Sequence, residues 1–199
     1  MMKKILRDTL SLVAITIVAG LCLSFVHELT AGTILTAEEE ERSASYREVF
    51  PEASDFAALE DSGAPDYDQT PVDGVTIEDA LFAVDENGER IGCVISATSA
   101  NGYGGDITLS VGIDGSGAIT GMKVTSMSES PGFGSHCQDE EFQEQFNGIS
   151  GEVVYTGSGK TAPNEIDMIS GATFTTSAVT DAVNGALKCA RSLMGGDEN

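Results

Sequence analysis

Apolar positions along the chain follow several different patterns. Residues 9–26 (TLSLVAITIVAGLCLSFV) form an uncharged run of 18 residues. With Ile5 and Leu6 in front of it, the run approaches the ~20 residues that cross ~30 Å of hydrocarbon as a helix. Within 27–60, a segment read as partly helical, Tyr46, Val49 and Phe50 recur at helical spacing and Pro51 breaks the pattern. Residues 61–74 (DSGAPDYDQTPVDG) are turn-rich and read as linker.

The spacing then changes to that of strands. Ala80 to Val84 leads into Asp85-Glu86-Asn87-Gly88, a hairpin signal, and Arg90 to Ala97 returns. Residues 102–106 (GYGGD) turn the chain. Ile107, Leu109, Val111 and Ile113 alternate with smaller or polar residues, Asp114-Gly115-Ser116-Gly117 turns, and Ile119 to Val124 pairs back. A Gly-Pro loop follows at 129–135 (ESPGFGS), then a short acidic helix at 139–146 with Phe142 and Phe146 one turn apart, then a loop at 155–165. Helical spacing returns from about Ala178 to Met194, with Val179, Ala182, Val183, Ala186, Leu187, Ala190 and Leu193 on one stripe and Gly195-Gly196 at the end. Strands followed by a helix predict an α+β fold, an antiparallel or mixed sheet packed with helices.

Charge adds a topology. Lys3, Lys4 and Arg7 precede the long apolar run, while His27, Glu28 and Glu38 to Glu41 follow it. The positive-inside bias puts residues 1–8 in the cytoplasm, a single transmembrane helix at 9–26, and the bulk of the chain outside. A cleaved signal peptide is the competing reading, although its apolar region is usually shorter and no clear small-x-small site follows Val26. Lipidation at Cys22 is disfavoured by Leu21 just before it. The whole chain has 10 basic and 32 acidic residues, a net charge of −22. Such a polyanion is repelled by nucleic acid, so no nucleic-acid partner is expected.

Several chemical signals fail on their context. Gly157-Ser158-Gly159-Lys160-Thr161 resembles the end of a phosphate loop, but Val154 stands where its first glycine belongs and Ala162-Pro163 follows instead of a helix. His27 and His136 are the only histidines, and no G-x-S-x-G is present, so a serine hydrolase is not supported. His136 beside Cys137 lacks a second spaced ligand pair and reads as a loop residue. No metal site and no stand-alone catalytic group are expected. Cys93, Cys137 and Cys189 permit no disulfide assignment from sequence.

One segment carries chemistry. Residues 167–177 (DMISGATFTTS) end in small and hydroxylated residues that run directly into the last helix. Backbone N–H groups and the dipole at a helix N-terminus favour an anion, and hydroxyls add hydrogen bonds or a covalent ester point. Ordinary N-capping by Thr175, Thr176 or Ser177 explains the same composition. Helix-terminus physics leaves both readings open.

The wording of the segment goes further. D-x-x-S-G-A-T-x-T at 167–175 resembles the flavinylation motif of the FMN-binding domain family. The loop Glu129-Ser130-Pro131-Gly132-Phe133-Gly134 is similar to the family's E-T-P-G-L-G loop, with Ser130 and Phe133 in place of Thr and Leu. GYGGDI at 102–107 also fits, and the resemblance spans roughly residues 75–192. Members include the G subunits of Rnf electron-transport complexes and the C subunits of sodium-translocating NADH:quinone reductases. The resemblance implies FMN bound covalently through its phosphate to Thr175. Ser170, Gly171, Ala172, Thr173 and Thr176 would surround the attachment point, and Glu129, Gly132 and Phe133 would contribute from the loop, Phe133 as a ring contact. Gly132 and Gly134 would allow close backbone approach.

By resemblance, the chain is expected to be an electron-carrying subunit of an Rnf-type complex in the cytoplasmic membrane, beside other membrane subunits and coupled to ion translocation. An ApbE-type flavin transferase would attach the FMN. The expected organisation is 1–8 cytoplasmic, 9–26 transmembrane, 27–74 helical and linker, 75–194 FMN-binding domain and 195–199 tail. A subunit of the quinone-reductase type, or a membrane-tethered anion-binding module without redox chemistry, are the alternatives.

Overall fold

The computed structural model describes residues 9, 12, 13, 15–22, 24, 42–59 and 67–195. The chain divides into two units, 1–43 and 44–199. In the first unit residues 15–22 are helical, with Ile15, Ile17, Val18 and Leu21 exposed. Among the described residues no helix is long and apolar enough to cross a membrane. The remaining positions of the expected span, the segments 1–8 and 25–41, part of the linker (60–66) and the tail from 196 lie outside the described residues.

The second unit is an α+β fold. Residues 44–49 are helical (α1). Strands β1 (Asp55–Ala58), β2 (Val75–Val84), β3 (Arg90–Ser99), β4 (Ile107–Asp114) and β5 (Ile119–Met127) follow, all antiparallel and in sheet order β1-β2-β3-β4-β5. A short helix α2 (Glu140–Gln143) precedes β6 (Val154–Thr156) and β7 (Glu165–Asp167), a separate parallel pair. The last element is α3 (Thr173–Leu193).

The turns form where the sequence marks them. Oδ1 of Asp85 accepts the N–H groups of Asn87 at 2.9 Å and Glu89 at 2.8 Å and closes the β2–β3 hairpin. Asp114 does the same for Ser116 and Ala118 after β4. A carboxylate that satisfies N–H groups its own hairpin would otherwise leave open is the usual reason Asp starts such turns.

The sheet is covered on both faces, which explains why the middle of β3 is buried without alternation. One face (Cys93, Ile95, Ala97, Leu109, Val111, Ile113) meets the stripe of α3. The other carries Ala83 and Val94 against Tyr46, Val49 and Phe50 of α1 and the residue after it. Glycines make that second contact close. A Cβ on Gly112 would strike the Val49 carbonyl, one on Gly121 would meet the same residue, and one on Gly92 would meet the Phe50 ring. Thr120 Oγ1 donates to the Val49 carbonyl at 2.6 Å and pins the end of α1.

Several expected boundaries shift. Residues 55–58, placed in the helical and linker segment, form β1. DFAA has no β-branched residue, and only its register against β2, Asp55 opposite Val84 through Ala58 opposite Leu81, makes it a strand. β2 begins at Val75 rather than Ala80. The acidic helix at 139–146 is one α-turn followed by a 3-10 turn over Glu144–Phe146, with Phe142 and Phe146 buried edge to face at 5.6 Å. The 155–165 loop has strands at its ends, because β6 and β7 pair in parallel across it. Helix α3 begins five residues before Ala178. Thr175 and Thr176 extend its buried stripe backwards, so the hydroxylated residues lie inside the first turn.

The three cysteines of this unit are buried free thiols. Burial, with Cys189 nearby, pushes Cys93 up to about 12. Burial raises Cys189 to about 12 and Cys137 to about 11, the latter also by the charge of Glu129. A thiol whose folded value lies above its unfolded value adds stability that is complete below the unfolded value of about 8.5 and is lost as pH rises through the folded one. Urea midpoints should therefore fall steadily from about pH 9 upward, and the slope should flatten in the Cys93→Ala, Cys189→Ala double variant. Thiol-reactive reagents should label none of the three until the fold opens. Gly112→Ala should lower stability by about 1–3 kcal/mol by pushing α1 off the sheet, measured by urea denaturation.

Candidate functional site

Three segments converge at the start of α3: the turn between β3 and β4, the loop after β5, and the chain entering α3. They enclose a cleft of about 630 Å³. Its lining includes Tyr103, Glu129 to Pro131, Phe133, Gly134 and Gly171 to Thr175. Volumes of 300–1,000 Å³ are usual for small-molecule sites.

Gly171, at φ +78°, reverses the chain into α3. Ala172 is the N-cap and provides no side-chain cap. The capping expected from Thr175, Thr176 or Ser177 is therefore absent, because each sits within the helix. Thr176 does something else. Its Oγ1 accepts the Ile169 N–H at 3.1 Å and donates to the Ala172 carbonyl at 2.9 Å, stitching the preceding turn to the helix.

Thr175 points the other way. It is 1% exposed, and its Oγ1 donates to Oε2 of Glu129 at 2.6 Å. Glu129 is 7% exposed, and its Oε1 accepts the Gly104 N–H at 3.0 Å. Both carboxylate oxygens are thus bonded, which burial of a charged group requires. The surrounding backbone has no room for side chains. A Cβ on Gly134 would strike the Glu129 carboxylate and come within 2.6 Å of Thr175 Oγ1; one on Gly102 would lie 2.9 Å from Glu129 Oε1.

The rim of the cleft is aromatic and exposed. Phe133 is 58% exposed, so core packing does not account for it. Its ring lies over Gly171, where an added Cβ would touch it at 3.5 Å. Tyr103 and Phe174 are also exposed, with ring centroids 6.4 Å apart.

Of the residues singled out from sequence, Glu129, Phe133, Gly171, Ala172, Thr173 and Thr175 line this cleft. Ser170 is exposed and does not line it, and Thr176 is turned into the preceding turn. Gly132 does not provide close approach: a Cβ there would meet open space, and its role is the +78° turn. Gly134 is the close one. Tyr103 and Phe174 were not picked out individually, although both lie within motifs that were. A large aromatic flanked by glycines or hydroxylated residues was the available signal.

The phosphate-loop fragment at 157–161 connects β6 and β7. Glu165 Oε2 accepts the N–H groups of Thr161 and Ala162 and the Thr161 hydroxyl, so a carboxylate fills the position a phosphate would need. His136 pairs with Asp139 at 2.7 Å on the surface.

Comparison with known proteins converges on the same region. The FMN-binding domain profile matches residues 102–188. Over 198 residues the chain is 31% identical to the G subunit of the Na(+)-translocating ferredoxin:NAD(+) oxidoreductase complex of Acetobacterium woodii, covering 96% of this chain and 94% of that one. It is also 31% identical to the G subunit of the ion-translocating oxidoreductase complex of Methanosarcina acetivorans, over 93% and 94% of the two chains. The crystal structure of Shewanella oneidensis NqrC has the same fold, with a TM-score of 0.52 at 16% identity, over 74% of this chain and 72% of that one. With the motif, the cleft and near full-length similarity in agreement, the chain belongs to the FMN-binding domain family, among the G subunits of ion-translocating oxidoreductase complexes.

Proposed function

We propose that this protein is an electron-carrying flavoprotein subunit of an Rnf-type ion-translocating complex, with FMN joined through its phosphate to Thr175. The observation that carries the reading is the placement of Thr175. Its hydroxyl is buried in an aromatic-rimmed cleft, in the first turn of a helix.

The residues fit the group. The N-terminal N–H groups of α3 and its dipole favour a phosphate at this point. Gly134 keeps a side chain out of the space beside Thr175, and Gly171 leaves room for the Phe133 ring. Tyr103, Phe133 and Phe174 expose apolar ring surface that an isolated soluble domain has no reason to cluster. A planar ring system covers such a surface. When bound, FMN supplies one- and two-electron redox chemistry. The chain's own task is then to hold the group, shield one side of it and leave an edge accessible to partners. A covalent ester prevents its loss from a domain facing away from the cytoplasm.

In this reading an ApbE-type transferase delivers the FMN, and the partners are the other membrane subunits of the complex. The 9–26 segment anchors the chain once in the cytoplasmic membrane, with residues 1–8 inside. The length and identity shared with the two G subunits favour this over a quinone-reductase subunit.

Coexpression with a flavin transferase, followed by denaturing electrophoresis, tests the attachment. The wild-type band should fluoresce, and the peptide spanning Ile166 to Lys188 should carry the added mass of FMN. Thr175→Ala should abolish both, while Thr173→Ala, which alters an exposed neighbour with the same chemistry, should keep them. Loss of the Thr175 hydroxyl leaves a buried Glu129 oxygen without its donor and should cost about 1–3 kcal/mol of stability, so circular dichroism should be used to confirm that the chain is still folded. Fluorescence retained in Thr175→Ala would sink the assignment. For topology, a reporter fused after Asn199 should be active only on the extracytoplasmic side; cytoplasmic activity would reverse the orientation.

A further inference from the structure

We propose that Glu129 is the proton acceptor for esterification of Thr175, and that it retains this proton in the loaded protein. The inference rests on the Thr175 reading above and adds a role for a residue 46 positions away in the chain.

The geometry is specific. Oε2 of Glu129 is 2.6 Å from the hydroxyl oxygen that would be esterified, with Thr175 as donor. The hydroxyl hydrogen is thus already directed at a carboxylate oxygen. Burying a carboxylate is costly, and here three glycines, at 102, 104 and 134, are arranged around it. A threonine hydroxyl is a weak nucleophile, and an adjacent base is the usual means of activating one.

The step balances. The donor is a dinucleotide phosphoanhydride, FAD, presented by the transferase. A bond forms between Thr175 Oγ1 and the flavin-side phosphorus, and the anhydride P–O bond to the adenylate breaks. AMP leaves with an additional negative charge, and the Thr175 proton passes to Glu129 Oε2. One carboxylate charge disappears as one phosphate charge appears, and nothing is oxidised or reduced.

The proton then has a reason to stay. After esterification Oγ1 has no hydrogen to donate. An ionised Glu129 would face an anionic phosphodiester where it had faced a donor. As a neutral acid it donates a hydrogen bond to the ester instead. Like charge nearby favours this protonated form. The other ionisable groups around Glu129 do not replace it. Tyr103 shares the cleft, and the residues of α3 that line it, Thr173 to Thr175, are not ionisable. Cys137 lies in the 3-10 turn that follows the loop, a buried thiol held up to about 11, and so protonated near neutrality. His136 and Asp139, on and just after that turn, pair with each other at the surface.

The test uses the full chain with purified transferase and FAD, and follows FMN incorporation by intact mass. Glu129→Gln preserves shape and removes the base. It should load at least about a hundredfold more slowly than wild type. Glu129→Asp should recover part of the rate. The infrared difference spectrum of loaded minus unloaded wild type should gain the carbonyl band of a protonated carboxylic acid, and loaded Glu129→Gln should lack it. Should Glu129→Gln fail to fold, the wild-type infrared band decides: its presence supports the proposal and its absence overturns it. Equal loading of wild type and Glu129→Gln overturns the role of Glu129 alone. No FMN mass on the wild-type chain overturns the Thr175 reading, and this inference with it.

Discussion

The docking of α3 on the central strands fixes everything else about the site. Its buried stripe is mostly small: Ala178, Val179, Ala182, Val183, Ala186 and Ala190 are fully buried, and Gly185 lies against Val75 with no room for a side chain. Small residues bring the helix axis close to β3 and β4, and close packing resists sliding. A one-residue slip would rotate each side chain by about 100°. Such a slip would turn Thr175 away from Glu129 and carry polar positions into the core. The position of one hydroxyl is therefore set by packing along the length of a 21-residue helix.

The two faces of the sheet divide the work. The face under α3 carries the large core and, at one end, the cleft. The opposite face holds α1 through a smaller apolar cluster and the glycines of β3, β4 and β5. That second cover lets the central strands be buried on both sides. The loop from Glu129 to Gly134 leaves the end of β5 and folds over the start of α3. Its Glu129 bonds both to Thr175 and to the backbone of Gly104 in the turn between β3 and β4. A single buried carboxylate thus ties together all three segments that form the site.

Much of this was legible in the chain. The alternation from Ile107 to Ile113, the Asp-initiated turns at 85 and 114, and the stripe from Val179 to Leu193 reflect local rules and emerge as strand, hairpins and helix. The elements read differently depend on long-range pairing. Asp55–Ala58 is a strand through its register with β2, and β6 and β7 are strands through each other. The first turn of α3 was missed because Thr, Thr and Ser favour caps over helix interiors, whereas here burial of Thr175 and Thr176 extends the helix. At the site, the motifs named Thr175 and the loop, both of which line the cleft. They could not name the Glu129 contact, since a spacing of 46 residues carries no periodic signal.

The adjacent threonines show how the fold separates chemically equal groups. Thr175 and Thr176 have the same side chain, the same helix and nearly the same burial. About 100° of helical rotation separates them. Thr176 faces the turn it leaves, where its hydroxyl accepts from Ile169 and donates to Ala172. The Ala172 carbonyl also accepts the Thr176 backbone N–H, but the Ile169 N–H has this hydroxyl as its acceptor, and displacing it would leave a buried backbone donor unpaired at a cost of about 1–3 kcal/mol. Thr175 faces the loop, where its hydroxyl donates to the Glu129 carboxylate. Blocking the Thr176 hydroxyl would take the acceptor from the turn that starts the helix, whereas blocking that of Thr175 would cost only its bond to the Glu129 carboxylate. The fold thus gives two chemically equal hydroxyls different bonds to lose.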